Sequence, residues 1–261
     1  MTAHQDPFAR IAPFYDAIMA HVDYERWVSK TGFLADLLPD GFLHIDVACG
    51  TGVLVDKLRQ SGWRSMGADL SPEMVRQARR NAPGFPGAAA DIRALPFHNT
   101  AGLMTCLFDS LNFLPQEADL ERGLSEMAGA LTPGGILYGD VITERMVLTH
   151  FAGKRWTEQN GRFSTAWESD YSKSAHLAET RVTVNGGPVN YIHERIFPLS
   201  TLQSAMERAG LTVLAFCDAA TWKKPRKRSI RIDFVAARTP SAKLMRDFET
   251  VRKKIQAWQR R

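Results

Sequence analysis

The chain is poor in cysteine, lacks any long apolar run and contains no low-complexity tract. Its three cysteines, Cys49, Cys106 and Cys217, are odd in number, widely spaced and set in apolar runs. That pattern excludes a disulfide framework and a zinc knuckle, so we expect a reducing compartment and no metal site. No apolar run approaches the ~18 residues of a membrane span, and MTAHQDPFAR has no basic segment followed by an apolar one. These absences predict a cytoplasmic protein with no membrane partner. No repeat is visible either, and 261 residues with 44% hydrophobic content can bury one full core, so residues 1–261 are expected to form a single domain.

Lys plus Arg number 33 against 28 Asp plus Glu, a formal charge of +5. An excess this modest permits an acidic substrate or weak nucleic-acid contact and demands neither.

What is present begins with HIDVACGTGVL at His44–Leu54. A short apolar run carrying Asp46 ends in Cys49-Gly50-Thr51-Gly52, after which Val53, Leu54 and Leu58 begin a helical spacing. This reads as a buried strand, a glycine turn and a helix start, a cradle where backbone can approach a ligand beside unpaired helix N–H groups. A dinucleotide fingerprint would continue to a third glycine, whereas Val53, Leu54 and Val55 follow; a phosphate loop would need Gly-Lys-Ser/Thr. An acid, Asp69, instead ends the next strand, where a carboxylate can accept both hydroxyls of a ribose.

Along the chain, Ile11, Phe14, Ile18 and Val22, then Trp27, Phe33, Leu34 and Leu37, predict two N-terminal helices, a lid over 1–40. Strands over 43–48, 64–68, 87–91, 103–108 and 136–142 alternate with helices over 53–61, 72–81 and 117–131. Alternation of this kind implies a doubly wound parallel sheet, with the core over 41–150 and ligands at the strands' carboxyl ends. Asp69, Asp91 and Asp109 all fall there. Two-residue alternation around Asn185-Gly186 then predicts an antiparallel insertion over 155–197, after strand 5. On its last strand Tyr191, His193 and Arg195 share one face, and Asn190, Ile192 and Glu194 the other. A helix over 199–209 and strands near 211–217 and 230–237 complete the sheet within 198–238. From 240 to 261, Leu244, Phe248, Val251, Ile255 and Trp258 form one apolar stripe on a basic helix. Docking on the parent domain is its first use, a homodimer contact its second and an RNA- or membrane-surface role its third.

The set HIDVACGTG, GADLSPEMVRQAR, AADIRALPF, LMTCLFDSLNFLP and ALTPGGILYGDV resembles, in order and spacing, the class I S-adenosylmethionine (SAM)-dependent methyltransferases. YDAIMAHVDYERW and the insertion are similar to bacterial small-molecule enzymes related to the glycine and sugar-amine N-methyltransferases. The likeness covers roughly 10–238. It implies an α/β, Rossmann-like, mostly parallel seven-stranded sheet with SAM as cofactor. Ala48, Cys49, Gly50 and Gly52 would line the methionine end of SAM, with Asp46 fixing the turn or meeting the amino group through water. Asp69 would bind the ribose, Leu70 and Met74 the adenine face, and Asp91 and the Ile92 N–H the adenine edge. The Leu107 carbonyl would take the ammonium, Ser110 and Phe113 would close the floor, and Tyr24 and Trp27 would cover the cofactor.

Methyl transfer needs an aligned nucleophile in a dry pocket. For the acceptor half, Tyr15 and His193 are the candidate catalytic groups, His193 because an imidazole is a common general base. Asp109, Asn112, Trp167, Tyr191 and Arg195 are the candidate substrate contacts. The expected reaction is N- or O-methylation of a small molecule. Lys223, Lys224, Arg226, Lys227, Arg228 and Arg231 supply two other readings: an anionic group on that acceptor or, together with the basic C-terminal helix, an RNA methyltransferase, which no recognisable RNA-binding module supports. A SAM-binding dimeric scaffold is the non-enzymatic alternative.

Overall fold

The computed structural model describes residues 6–260; the first five residues of the expected lid, and Arg261 at the end of the expected C-terminal helix, lie outside them. The elements run α1 Tyr15–Ile18, α2 Tyr24–Ala35, β1 His44–Val47, α3 Val53–Gln60, β2 Ser65–Asp69, α4 Pro72–Asn81, β3 Gly87–Ala89, β4 Ala101–Cys106, α5 Glu117–Ala130 and β5 Leu131–Ile142. They continue with α6 Glu144–His150, β6 Lys154–Asn160, β7 Phe163–Ser172, β8 Leu177–Val184, β9 Asn190–Arg195, α7 Leu199–Arg208, β10 Leu211–Asp218, β11 Arg231–Arg238 and α8 Ala242–Trp258.

Seven strands form one sheet in the order β10-β11-β5-β4-β1-β2-β3. The pairs among β1 to β5 are parallel, and β11 runs antiparallel to both β5 and β10. Every residue of β1 and β4 is buried, as expected of central strands covered on both faces. One face carries α5 and α7 through Leu120, Leu124, Met127, Leu202 and Met206. The other carries α2, α3 and α8 through Leu34, Leu58, Phe248, Val251 and Ile255. The apolar stripe of α8 is thus covered by its own domain. Side-chain caps start the helices where the sequence supplies them: Ser71 accepts from the Met74 amide before Pro72, and Ser241 from the Leu244 amide.

Strand order reverses at β1, with β4 on one side and β2 on the other, which opens a crevice at their carboxyl ends. The insertion is a separate four-stranded antiparallel sheet, β6-β7-β8-β9. Its inner face, with Trp167, Val182 and Ile192, packs on Ile11, Phe8 and Phe113.

Three local details differ from expectation. The first N-terminal helix is a 3-10 turn, Ala12–Phe14, followed by a single α turn, because Pro13 interrupts the ladder. β5 starts at Leu131 rather than after the Pro133-Gly134-Gly135 turn, which it absorbs with a register shift opposite β4. The short helix α6, started by Thr143, has no counterpart in the sequence reading.

Candidate active site

A cavity of about 480 Å³ opens at the crevice. Its floor is the turn after β1, where Ala48, Gly50 and Gly52 all take left-handed φ of 57°, 55° and 78°. The two glycines serve different ends. Gly50 lines the cavity, and a Cβ there would meet only Tyr15, at 3.9 Å. A Cβ on Gly52 would lie 2.4 Å from the Phe85 ring and 3.1 Å from Ala78, so this glycine lets α3 pack on α4 and does not face the cavity.

Asp69 clamps that turn. Its Oδ2 accepts the Gly50 amide at 2.7 Å and its Oδ1 the Ser71 amide at 2.8 Å. Burial pushes its carboxyl up to about 6, against the opposing pull of the two amides. Asp46, inside β1, accepts from Thr105 Oγ1 at 2.5 Å, and burial carries it to about 7. Thr105 also meets His44 Nε2 at 2.9 Å, and His44 Nδ1 meets Ser65 Oγ at 2.7 Å. Since burial lowers His44 to about 3, it is neutral. With the Thr105 proton committed to Asp46, His44 donates from Nε2 and accepts from Ser65 at Nδ1.

Asp91 lies at the far end of the cavity, gripped by the Arg93 guanidinium, whose Nη2 is 2.7 Å from Oδ2. That hydrogen bond holds Asp91 below the usual carboxylate range. Arg93 Nη1 also donates to Asp119 at 2.9 Å. Ile92, Leu70 and Met74 line this end. The Leu107 carbonyl accepts Ser110 Oγ at 2.7 Å, and Phe113 meets Phe8 edge-on at 5.3 Å between ring centres.

The lid is tied to the floor. Asp16, next to Tyr15 on α1, accepts from Thr51 Oγ1 at 2.5 Å and from Asn81 Nδ2 at 2.6 Å. On α2, Tyr24 stands 5.7 Å from Trp27, and Trp27 stands 5.5 Å from Phe108 at the end of β4. Burial, with Tyr24 and several carboxylates nearby, keeps the Tyr15 phenol well above its ordinary value, so it is a hydrogen-bond donor at neutral pH.

Of the expected site residues, Tyr15, Tyr24, Trp27, Asp46, Ala48, Cys49, Gly50, Asp69, Asp91, Leu107, Ser110 and Phe113 converge on this one space. Tyr191, His193 and Arg195 reach its rim from the outward face of β9. His193 is half exposed with Nε2 2.9 Å from Glu179, and Arg195 donates to the carbonyls of Pro115 and Ala175. Asp109, Asn112 and Trp167 do not line the cavity. Asp109 pairs with Arg231 at 2.6 Å; Asn112 links the Arg195 carbonyl to the Ile142 amide; Trp167 stacks on Trp156 at 5.6 Å. All three hold the framework that carries the wall. Phe8, Thr51 and Phe108 line the cavity without having been foreseen; of these only Thr51, between the two glycines, carried a signal in sequence.

The lining suits SAM. It is mostly apolar, as a methyl donor kept from water requires, with the carboxylates of Asp46, Asp69 and Asp91 set among the apolar groups, and the volume lies within the ~300–1,000 Å³ of small-ligand sites. Asp6 Oδ2 at the mouth is buried with no partner among the described residues, an acceptor waiting for a donor.

Residues 45–135 match the family model described as a methyltransferase domain. The demethylmenaquinone methyltransferase of Thermus thermophilus is 30% identical over 220 residues, covering 79% of this chain and 91% of that protein. The chain is a class I SAM-dependent methyltransferase. An N,N-dimethyltransferase of Saccharopolyspora spinosa, named for dTDP-4-amino-2,3,4,6-tetradeoxy-D-glucose, is 32% identical over 129 residues, covering 48% of the methyltransferase and 51% of that protein. Two solved structures share the fold. A SAM-dependent methyltransferase from Clostridium acetobutylicum has a TM-score of 0.75 and 23% identity over 88% of this chain and 98% of that one. SAM-bound CalS10, an amino pentose methyltransferase from Micromonospora echinaspora, has a TM-score of 0.67 and 22% identity over 87% and 97%.

In the methyltransferase, SAM supplies an electrophilic methyl on a sulfonium that leaves neutral. Gly50, Asp69, Tyr15 and Trp27 line the cavity that would receive this donor. No helix among the described residues is long and apolar enough to cross a membrane.

Proposed function

We propose that this enzyme methylates a nitrogen of a small-molecule acceptor by in-line displacement, with Tyr15 aligning the acceptor beneath the lid. The observation that carries this reading is the state of the titratable groups around the cavity. Asp46, Asp69 and Asp91 each accept from protein donors, Asp6 stands at the mouth with one oxygen on the Phe8 amide, and Tyr15 keeps its proton at neutral pH. His193, the one imidazole among the described lining residues, is half exposed at the rim and held by Glu179. A hydroxyl acceptor would need a base inside the cavity, whereas an amine that has lost its proton to water arrives with its lone pair free. Alignment of such a nucleophile can lower the barrier by about 7–11 kcal/mol without a base. Relatives named for N,N-dimethylation of amino sugars support nitrogen as the acceptor atom.

Tyr24, Trp27, Ala48, Cys49, Leu70, Met74, Ile92, Leu107, Ser110 and Phe113 complete the cofactor's surroundings in this reading. Tyr191, His193 and Arg195 form the rim that the acceptor passes.

The test is a methyl-labelled SAM assay over separated small-metabolite and RNA fractions. Label should enter small amines, and Tyr15→Phe should lower kcat/KM about tenfold or more, the loss of one positioned hydrogen bond. His193→Ala should stay within a few-fold of wild type. Label confined to RNA, or no transfer despite SAM binding, would overturn the proposal.

A further inference from the structure

We propose that the basic loop at 219–230, between β10 and β11, docks a phosphate-bearing end of the acceptor. The proposal rests on the small-molecule reading above and names a chemical class for that acceptor.

Topology puts the loop at the site. β11 runs antiparallel to β5 with Arg231 opposite Ile142, the last residue of β5, so the loop lies at the carboxyl edge of the parallel strands, the edge where the cavity opens. Its two ends flank the cavity wall. At one end the Ala219 carbonyl accepts from Lys30 Nζ at 3.0 Å, one helical turn along α2 from Trp27. At the other, the Arg231 guanidinium sits over the Phe108 ring, 5.3 Å from its centre. Trp27 and Phe108 touch each other and line the cavity, so the loop brackets that pair from outside.

Lys223, Lys224, Arg226, Lys227 and Arg228 are all exposed, and none lies within 4.0 Å of a carboxylate among the described residues. Arg231, by contrast, is neutralised by Asp109 and Asp140. Five unpaired cations in six residues repel one another, and a multiply charged anion relieves this where a single carboxylate leaves most of it standing. The two guanidiniums add the forked geometry that phosphate oxygens match.

The loop is also held in place. Trp222 is fully buried, donates from Nε1 to Asp233 at 2.6 Å and accepts on its carbonyl from Gln256 at 2.7 Å. The Arg226 amide donates to Ser229 Oγ at 3.0 Å, and Thr143 Oγ1 donates to the Ser229 carbonyl at 2.8 Å. A loop already ordered loses little freedom on binding. RNA is disfavoured because the loop's one aromatic, Trp222, is inside the core, which leaves no platform on which bases could stack.

The experiment is calorimetry at low salt on the full chain saturated with S-adenosylhomocysteine, which blocks the adenosine site. Inorganic pyrophosphate and uridine diphosphate are the probes, against wild type and Arg226→Gln/Lys227→Gln/Arg228→Gln. Both probes should bind wild type, less tightly as salt rises, and lose about tenfold in the variant, with S-adenosylhomocysteine affinity the same in both proteins. Three results would overturn the proposal: neither probe binds wild type, both proteins bind alike, or a single-stranded RNA oligonucleotide binds the loop more tightly than either probe. The parallel transfer assay separates this proposal from the one it rests on. Transfer to a phosphate-bearing amine at equal kcat/KM in both proteins would sink the docking site and leave N-methylation standing. Loop-dependent pyrophosphate binding without transfer to any small molecule would support the anion site and sink the transfer reading.

Discussion

The amide of Gly50 donates to Asp69 Oδ2 at 2.7 Å, which makes the turn after β1 and the acid ending β2 one assembly. With Ser71 bonded to the other oxygen, Asp69 shapes the floor before any ligand arrives. A carboxylate oxygen has a second lone pair, so both can still accept ribose hydroxyls from the cavity side.

Asp69→Ala should therefore damage SAM binding twice, by removing the acceptor we propose for the ribose and by releasing the glycine turn. Hydrogen bonds to a charged group contribute about 1.5–3 kcal/mol each, so the loss in affinity should exceed about tenfold. Asp69→Asn keeps one acceptor and should fall between. Calorimetric titration with SAM measures both, and an Asp69→Ala variant that binds within twofold of wild type would refute the assembly.

Asp16 should matter for the lid rather than for the floor. Its carboxylate joins Thr51 of the turn to Asn81 of α4, and it sits beside Tyr15. In Asp16→Ala the α1 turn, too short to hold itself, loses its tether. Amide exchange over residues 11–22 should speed up at least severalfold while exchange in β1 and β4 stays as in wild type. Unchanged protection in the lid would show that aromatic packing by Phe8 and Phe113 suffices.

The parts that were legible in sequence are those set by local chemistry. Alternating apolar runs and glycine turns placed β1, α3, α4 and the insertion within a few residues, and the acids at strand ends marked the crevice. Distinguishing Gly50 from Gly52 needed the Phe85 ring, thirty-odd positions away. Asp109 and Asn112 looked like acceptor contacts because they follow β4, yet their partners, Arg231 and the Arg195 carbonyl, come from distant strands. Period-two alternation divided β9 into two faces without saying which one the core would take. Burial of Asn190, Ile192 and Glu194 sends Tyr191 and His193 outward to the rim.

The two acids under the cavity predict a pH dependence with a definite sign. Burial lifts Asp46 to about 7 and Asp69 to about 6, above the ~3.9 of an unfolded aspartate. A raised pKa means that the folded protein binds the proton more tightly than the unfolded one, so the stability each group contributes is present at low pH and is lost as pH rises through its folded value. His44, lowered to about 3, acts in the opposite direction but only below about pH 6.5, and comparison with Asp46→Asn cancels it. Between pH 5.5 and 7.5 the melting temperature of ligand-free wild type should fall relative to Asp46→Asn. SAM affinity should rise over the same window, because the cationic donor favours ionised acids. A flat difference between the two proteins would mean that Asp46 is charged throughout.

The last prediction concerns the pair that fixes α2. Lys30 Nζ meets Asp233 Oδ2 at 2.6 Å with side chains only 3% and 1% exposed, and the same oxygen accepts from Trp222 Nε1 and the Tyr138 hydroxyl. A charge pair this deep is costly to desolvate, and removing one member strands the other. Lys30→Met should thus destabilise by about 3–5 kcal/mol, read as a lower urea midpoint at unchanged slope. Lys30→Met/Asp233→Asn removes both charges while keeping an acceptor for Trp222 and Tyr138, so most of that stability should return. Transfer activity need not return with it. Without the Lys30 bonds to Asp233 and Ala219, α2 is held by apolar contacts and the exposed Glu25–Lys57 pair, which tolerate rotation, and Trp27 loses its fixed place against Phe108. A double variant with wild-type stability and wild-type kcat/KM would show that packing alone sets the helix; restored stability with a raised acceptor KM would assign the buried pair to positioning the lid.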